Sequence, residues 1–161
     1  MTTTAAGDKS RGLLNINHMP LRTAIGNMCF TSGTLAIGTS KAKFDTTTTI
    51  NYSIGGVLKI ITALTSATMI VASSDDGSTT QAIGTTCWYV ACINSAGTYE
   101  AYKGADDVTT VLPSVPNDVC PFGLIKVVNA TNVFTMGTTN YDASGVTSTF
   151  TNISVMPVSP P

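Results

Sequence analysis

The sequence predicts an all-β protein: a single antiparallel domain of eight or nine short strands, a jelly-roll-like sandwich or a small barrel, with an extended N-terminal arm. Three observations predict it. Threonine, valine, isoleucine and the aromatics account for 64 of the 161 residues, 28 of them threonine, and all of these types favour strands. The residues that build exposed helix faces are scarce, with one Glu (Glu100), one Gln (Gln81), six Lys and eight Leu. Apolar alternation with period two recurs about every ten residues, punctuated by Gly, Asn, Ser and Pro.

Taken in order, residues 1–12 are small and polar and read as a loose arm. Residues 13–30 carry Leu13, Leu14, Ile16, Met19, Leu21, Ile25, Met28 and Phe30, whose spacing fits neither a helix nor a strand, and Pro20 interrupts any helix through the middle. An arm over residues 1–30 and a β-domain over residues 31–161 follow. Thr34–Gly38 predicts a short strand. Thr48–Ile54 alternates with Ile50, Tyr52 and Ile54 on one face, and Gly55-Gly56 followed by Val57–Ile61 predicts a two-residue hairpin. Leu64–Ala72 reads as one strand, and Ser73–Thr80 as a polar loop. Thr86–Ile93 is apolar on both faces, which predicts a central strand covered on two sides. Asn94–Gly97 predicts a turn and Thr98–Lys103 the returning strand. Val108–Leu112 predicts a short strand that ends in an extended Pro113–Pro116 crossing. Pro121–Asn129, Val133–Met136 and Val146–Val155 complete the set, before an extended tail over Pro157–Pro161.

Formal charge is −1 and only 11% of residues are charged, so a basic surface for nucleic acid is absent. No apolar run is long enough for a transmembrane helix, and the N-terminus has no basic patch followed by an apolar run, so neither a membrane span nor a secretory signal is expected. Cys29, Cys87, Cys92 and Cys120 form no CxxC pair and are expected to stay reduced, as small buried hydrophobes. Cys87 and Cys92, five residues apart in one strand, face opposite sides.

Catalysis needs titratable groups brought together, and few are on offer. The lone histidine, His18, lies in the arm, where a solvated or packed side chain is the plain reading and a general base the alternative. With one Glu, a two-carboxylate hydrolase would need an Asp pair assembled by the fold. The turn Asp75-Asp76-Gly77-Ser78 reads as turn chemistry, with weak calcium binding as the alternative. No phosphate-binding glycine motif is present. Trp88 reads as core rather than as a sugar platform, because Cys87, Tyr89, Val90 and Ala91 surround it. The expectation is a protein without enzymatic activity, cofactor or metal.

Four motifs in order resemble a known family. They are Ile50-Asn51-Tyr52-Ser53-Ile54-Gly55-Gly56-Val57-Leu58-Lys59; Trp88-Tyr89-Val90 followed by Asn94-Ser95-Ala96-Gly97-Thr98; Leu112-Pro113 through Pro116 to Cys120-Pro121-Phe122-Gly123-Leu124-Ile125; and Phe134-Thr135-Met136-Gly137-Thr138-Thr139. Over residues 48–140 the chain resembles tailed-bacteriophage capsid cement (decoration) proteins. The resemblance implies a non-enzymatic virion protein, made in the host cytoplasm and bound to the capsid exterior. It further implies a homo-oligomer, a trimer being favoured, whose partner is the major capsid protein. No motif of that family covers the arm. Its apolar residues Leu13, Leu14, Ile16, Met19, Leu21, Ile25 and Phe30 suggest a strap on the capsid. The alternative is a host-attachment or carbohydrate-binding module of a virion, for which Tyr99, Tyr102 and Tyr141, all near turns, are the ligand-facing candidates.

Overall fold

A computed structural model describes residues 26–154 and 160–161. The described residues are all-β, about 49% strand and without a helix. Thirteen strands run in order: β1 (Met28–Cys29), β2 (Leu35–Ile37), β3 (Phe44–Thr46), β4 (Ile50–Ile54), β5 (Val57–Ile61), β6 (Leu64–Ala67), β7 (Ile70–Ser74), β8 (Thr80–Gln81), β9 (Thr85–Asn94), β10 (Tyr99–Lys103), β11 (Val119–Asn129), β12 (Phe134–Thr135) and β13 (Val146–Asn152). They form four sheets, of order β1-β4-β5, β13-β11-β9-β10-β7, β12-β8 and β2-β3-β6.

The expected central strand is β9. It lies in the middle of the five-stranded sheet, and residues Cys87 to Ile93 are all buried. Its side chains divide by parity between two clusters. Cys87, Tyr89, Ala91 and Ile93 face the larger one, with Phe44, Ile50, Phe122 and Phe134; Trp88, Val90 and Cys92 face a smaller one, with Tyr102, Val119 and Leu124. Cys87 and Cys92 thus lie on opposite faces, and all four cysteines are buried and unpaired. The long partner, β11, takes up Pro121 through a bulge: Pro121 faces Cys92 and Gly123 faces Ala91, leaving Phe122 as the extra residue. Proline has no N–H for the ladder, so a bulge is where a central strand can hold one. Gly123 admits Leu35 from the next sheet, whose Cδ2 would lie 2.7 Å from a β-carbon added there.

The expected hairpin also forms. Ile54 pairs with Val57 across Gly55 and Gly56, whose φ values of 57° and 75° are those of the primed turn that suits strand twist.

Four expectations fail for physical reasons. The run Leu64–Ala72 is two strands, because the chain changes sheets at Thr68-Met69: β6 pairs with β3, and β7 with β10. That β7–β10 pairing is parallel, so the domain is not wholly antiparallel. Val108–Leu112 forms no strand. The segment instead crosses the smaller cluster, packing Leu112 and Val115 against it while Val108 and Val111 face solvent. The last residues of the expected arm, Met28–Cys29, belong to the domain as β1, paired with β4. Residues 1–25, which hold His18 and the arm residues Leu13, Leu14, Ile16, Met19, Leu21 and Ile25, lie outside the described residues, as do residues 155–159 of the tail.

Two glycine turns should differ measurably. Gly55 at φ 57° has nothing within 4 Å of an added β-carbon, whereas Gly137 at φ 79° would place one 2.7 Å from the Met69 carbonyl oxygen. Gly55→Ala should therefore cost only its backbone strain, about 1 kcal/mol. Gly137→Ala adds a backbone clash and should cost about 3 kcal/mol. Urea unfolding of both variants checks the ranking, and equal losses would contradict it.

Candidate functional site

Three charged side chains meet within the described fold at the end of β10, apart from the exposed pair Lys41–Asp142 at 3.5 Å. The parallel pairing of β7 with β10 sets Lys103 opposite Ser74, beside the Asp75-Asp76-Gly77 turn. Lys103 is completely buried. Its Nζ lies 2.5 Å from Asp76 Oδ2, 2.9 Å from Asp106 Oδ1 and 3.1 Å from the Gly104 carbonyl oxygen. The backbone supports both acids: the N–H of Ser78 donates to Asp76 Oδ1 at 3.0 Å, and that of Ala82 donates to Asp106 Oδ2 at 2.8 Å.

Burial alone would discharge these groups. It is outweighed here. The Lys103 hydrogen bond and charge hold the Asp76 carboxyl below its ordinary value, and the two carboxylates hold the Lys103 ammonium above its own. Asp76 is thus held as a carboxylate and Lys103 as an ammonium at neutral pH. Cys87 beside it is no nucleophile either, since burial pushes its thiol up to about 12. The Lys103 ammonium takes Asp76 Oδ2, one of the carboxylate oxygens of the Asp75-Asp76-Gly77 turn. Among the described residues, no group of three or more His, Cys, Asp or Glu is placed to hold a metal ion. The arrangement fastens three loops (75–78, 82 and 104–106) to the sheet edge.

The tyrosines expected to face a ligand are instead core residues. Tyr99 packs edge-on against Phe44 at 5.0 Å and Phe122 at 5.6 Å between ring centroids. Tyr141 packs against Phe134 at 5.7 Å and Phe150 at 5.3 Å. Tyr102 lies in the smaller cluster, its hydroxyl donating to Glu100 Oε1 at 2.8 Å. Burial raises all three phenols. Each strand or turn ends over the core rather than over solvent, which proximity to a turn in sequence does not reveal. Trp88 is buried as expected, with its indole N–H donating to the Thr109 carbonyl at 3.2 Å.

What the surface does present is apolar. Leu58 and Ile60 on β5 are 70% and 71% exposed, and Val57 beside them is half exposed. Strand β5 is also an edge, paired only with β4 among the described strands. Ile70 on β7, an edge of the five-stranded sheet, and Ile83, Val111 and Val133 in loops, add to the set. Phe30, the one residue of the expected strap within the described fold, is 41% exposed. Gly26, the first described residue, lies at the tip of the β4–β5 hairpin, where its carbonyl accepts from Gly56 N–H at 3.1 Å and from the Ser53 hydroxyl at 2.9 Å. Residues 1–25 therefore join the domain beside the exposed strand. A groove of about 460 Å³ flanks it, lined by Lys59, Ile60, Ile61 and the Ser95-Ala96-Gly97 turn.

No helix among the described residues is long and apolar enough to cross a membrane. Comparison with family models, curated proteins and solved structures finds no match. The four motifs behind the family resemblance occupy architectural positions: the β4–β5 hairpin, β9 with its turn, the crossing into β11, and the turn after β12.

The Lys103 cluster and the apolar β5 edge escaped the sequence reading. A lysine closing an apolar strand, three residues before an aspartate, is a signal for the first; its meeting with Asp76 depends on a parallel pairing that no local pattern encodes.

The cluster makes a signed prediction. Asp76 has a lowered folded pKa, so its contribution is present above the unfolded value of about 3.9 and disappears as pH falls through the lower folded one. Lys103 has a raised folded pKa, so its contribution is complete below about 10.4 and disappears as pH rises through the higher folded value. Stability should fall at both extremes. Lys103→Met should cost about 3 kcal/mol at neutral pH, the low end for breaking a buried pair because both carboxylates retain some solvent. The variant should lose only the part of the alkaline fall that Lys103 carries, since the raised Tyr99, Tyr102, Tyr141 and Cys87 groups keep the rest. Denaturant unfolding from pH 2 to 12 checks both signs.

Proposed function

We propose that this chain is a non-enzymatic structural protein of a phage virion, a cement or decoration protein that binds the capsid exterior and stabilises contacts between major capsid subunits. The observation that carries this reading is the exposed apolar edge strand β5, at whose hairpin residues 1–25 join the domain. An open edge bearing Val57, Leu58 and Ile60 is an aggregation hazard for a free monomer and an asset for a chain completed by another protein. The four sheets are read as a jelly-roll-like sandwich, residues 1–25 as the strap, and the assembled form as a trimer.

The cluster chemistry supports the same reading. The buried ion cluster holds Asp76 ionised and Lys103 protonated, an arrangement suited to fastening loops rather than to turnover. The burial of Tyr99, Tyr102 and Tyr141 removes the stacking surface that a carbohydrate-binding module would need.

Purified protein should bind expanded, undecorated phage capsids saturably, at a fixed ratio to capsid subunits. Deleting residues 1–25 should abolish binding while leaving β1 and the buried Cys29 in place. Leu58→Lys with Ile60→Lys should weaken binding at least about tenfold, equivalent to about 1.4 kcal/mol, without lowering the melting temperature. No binding by the intact chain would overturn the reading.

A further inference from the structure

We propose that, in the free protein, a run within residues 13–25 of the same chain pairs with the open edge of β5 as an added antiparallel strand. Hydrogen bonding defines that edge. Asn51 stands opposite Ile60 in the β4–β5 register, yet both its backbone groups turn the other way: its carbonyl accepts from Phe30 N–H at 2.7 Å, and its N–H donates to Thr31 Oγ1 at 2.8 Å. Bonded and non-bonded pairs alternate along an antiparallel ladder. Val57, Lys59 and Ile61 therefore hold the bonds to β4, while the N–H and C=O groups of Leu58 and Ile60 point outward. No other described strand lies there to take them up.

The side chains agree with the backbone. Ile61 packs against the larger core cluster, so Leu58 and Ile60, of the opposite parity, face away from it. Met28 lies across Ser53 from Leu58, and Phe30 lies across Asn51 from Ile60. These four apolar residues share the outer face of the β1-β4-β5 sheet. A strand laid on β5 widens that face and sets its own alternate side chains against Leu58 and Ile60.

The chain itself supplies the occupant. Gly26 is tied to Gly56, just before β5, by the Gly56 N–H, and Asn27 Oδ1 accepts from Gly55 N–H at 2.7 Å. Followed backward from Gly26, the chain starts at the Val57 end of β5, so a run that covers β5 as far as Ile61 is antiparallel to it. Five extended residues, about 17 Å, suffice for a strand of this length. Leu14 and Ile16 alternate with Asn15 and Asn17, and Met19 and Leu21 flank Pro20, a residue that an edge strand accepts. Tethering holds this run at an effective concentration of about millimolar beside β5, ahead of any second copy in dilute solution. The cover removes the aggregation hazard of the free chain. It concerns the unbound protein and does not depend on the capsid reading, under which the same segment leaves β5 to act as the strap.

Amide hydrogen exchange, read residue by residue by NMR on the full chain, tests this. The N–H groups of Lys59 and Ile61 are protected by β4 with or without a cover and serve as the internal reference. Those of Leu58 and Ile60 should exchange at least about tenfold more slowly than in an open strand, equally at every protein concentration, in a species of monomer mass. Leu14→Asp with Ile16→Asp and Leu21→Asp, which alters no described residue, should restore fast exchange at Leu58 and Ile60 and leave Lys59 and Ile61 unchanged. Fast exchange at Leu58 and Ile60 in the unsubstituted chain would overturn the proposal, as would protection that persists in the triple variant. Protection that grows with concentration alongside a larger mass would overturn it too, by assigning the edge to a second copy. Capsid binding is read separately, so loss of either result leaves the other standing.

Discussion

Strand β9 has no solvent face, and much of the molecule is the consequence. Seven consecutive residues, Cys87 to Ile93, are buried, and no single layer can cover both sides of a strand. On one side the cover comes from Phe44, Ile50 and Tyr52 of the two small sheets, with Phe134 and Tyr141. On the other it comes from a strandless crossing that contributes Leu112 and Val115, together with Ile153. Burying a large aliphatic side chain is worth about 1.5–3 kcal/mol, more than a typical net backbone hydrogen bond at about 1 kcal/mol. That ranking is consistent with a crossing that gives up strand pairing while Leu112 and Val115 pack on the cluster of Trp88 and Val90. The bulge at Phe122 belongs to the same constraint, since it lets a proline-containing strand stay beside β9.

Local signals made part of this legible. The β4–β5 hairpin follows from Gly55-Gly56 and clean alternation, and β9 follows from apolar residues at both parities. Strands β1, β3 and β8 were not legible, because two or three residues carry no period. The break at Thr68-Met69 hid inside an unbroken apolar run, where a change of sheet leaves no mark in residue type. Tyr99, Tyr102 and Tyr141 misled because adjacency to a turn is a property of the chain, whereas burial is a property of the assembled layers. Tyr99 reaches Phe44 and Phe122 from two other strands, a meeting decided by sheet order. The Lys103 cluster was hidden likewise, since Asp76 reaches Lys103 and its near neighbour Asp106 only through the β7–β10 pairing.

The distribution of charge ties structure to function. The chain has 17 acidic and basic side chains, and its most elaborate ionic arrangement is turned inward, around Lys103. A buried, paired ammonium costs desolvation when the protein folds and nothing when it later docks. Threonine hydroxyls and aliphatic groups left outside can be covered by a partner with little loss of hydration free energy, whereas lysines and glutamates would resist it. The electrostatic cost around Lys103 falls on folding, and among the described residues Leu58 and Ile60 are the large apolar side chains left most open to solvent.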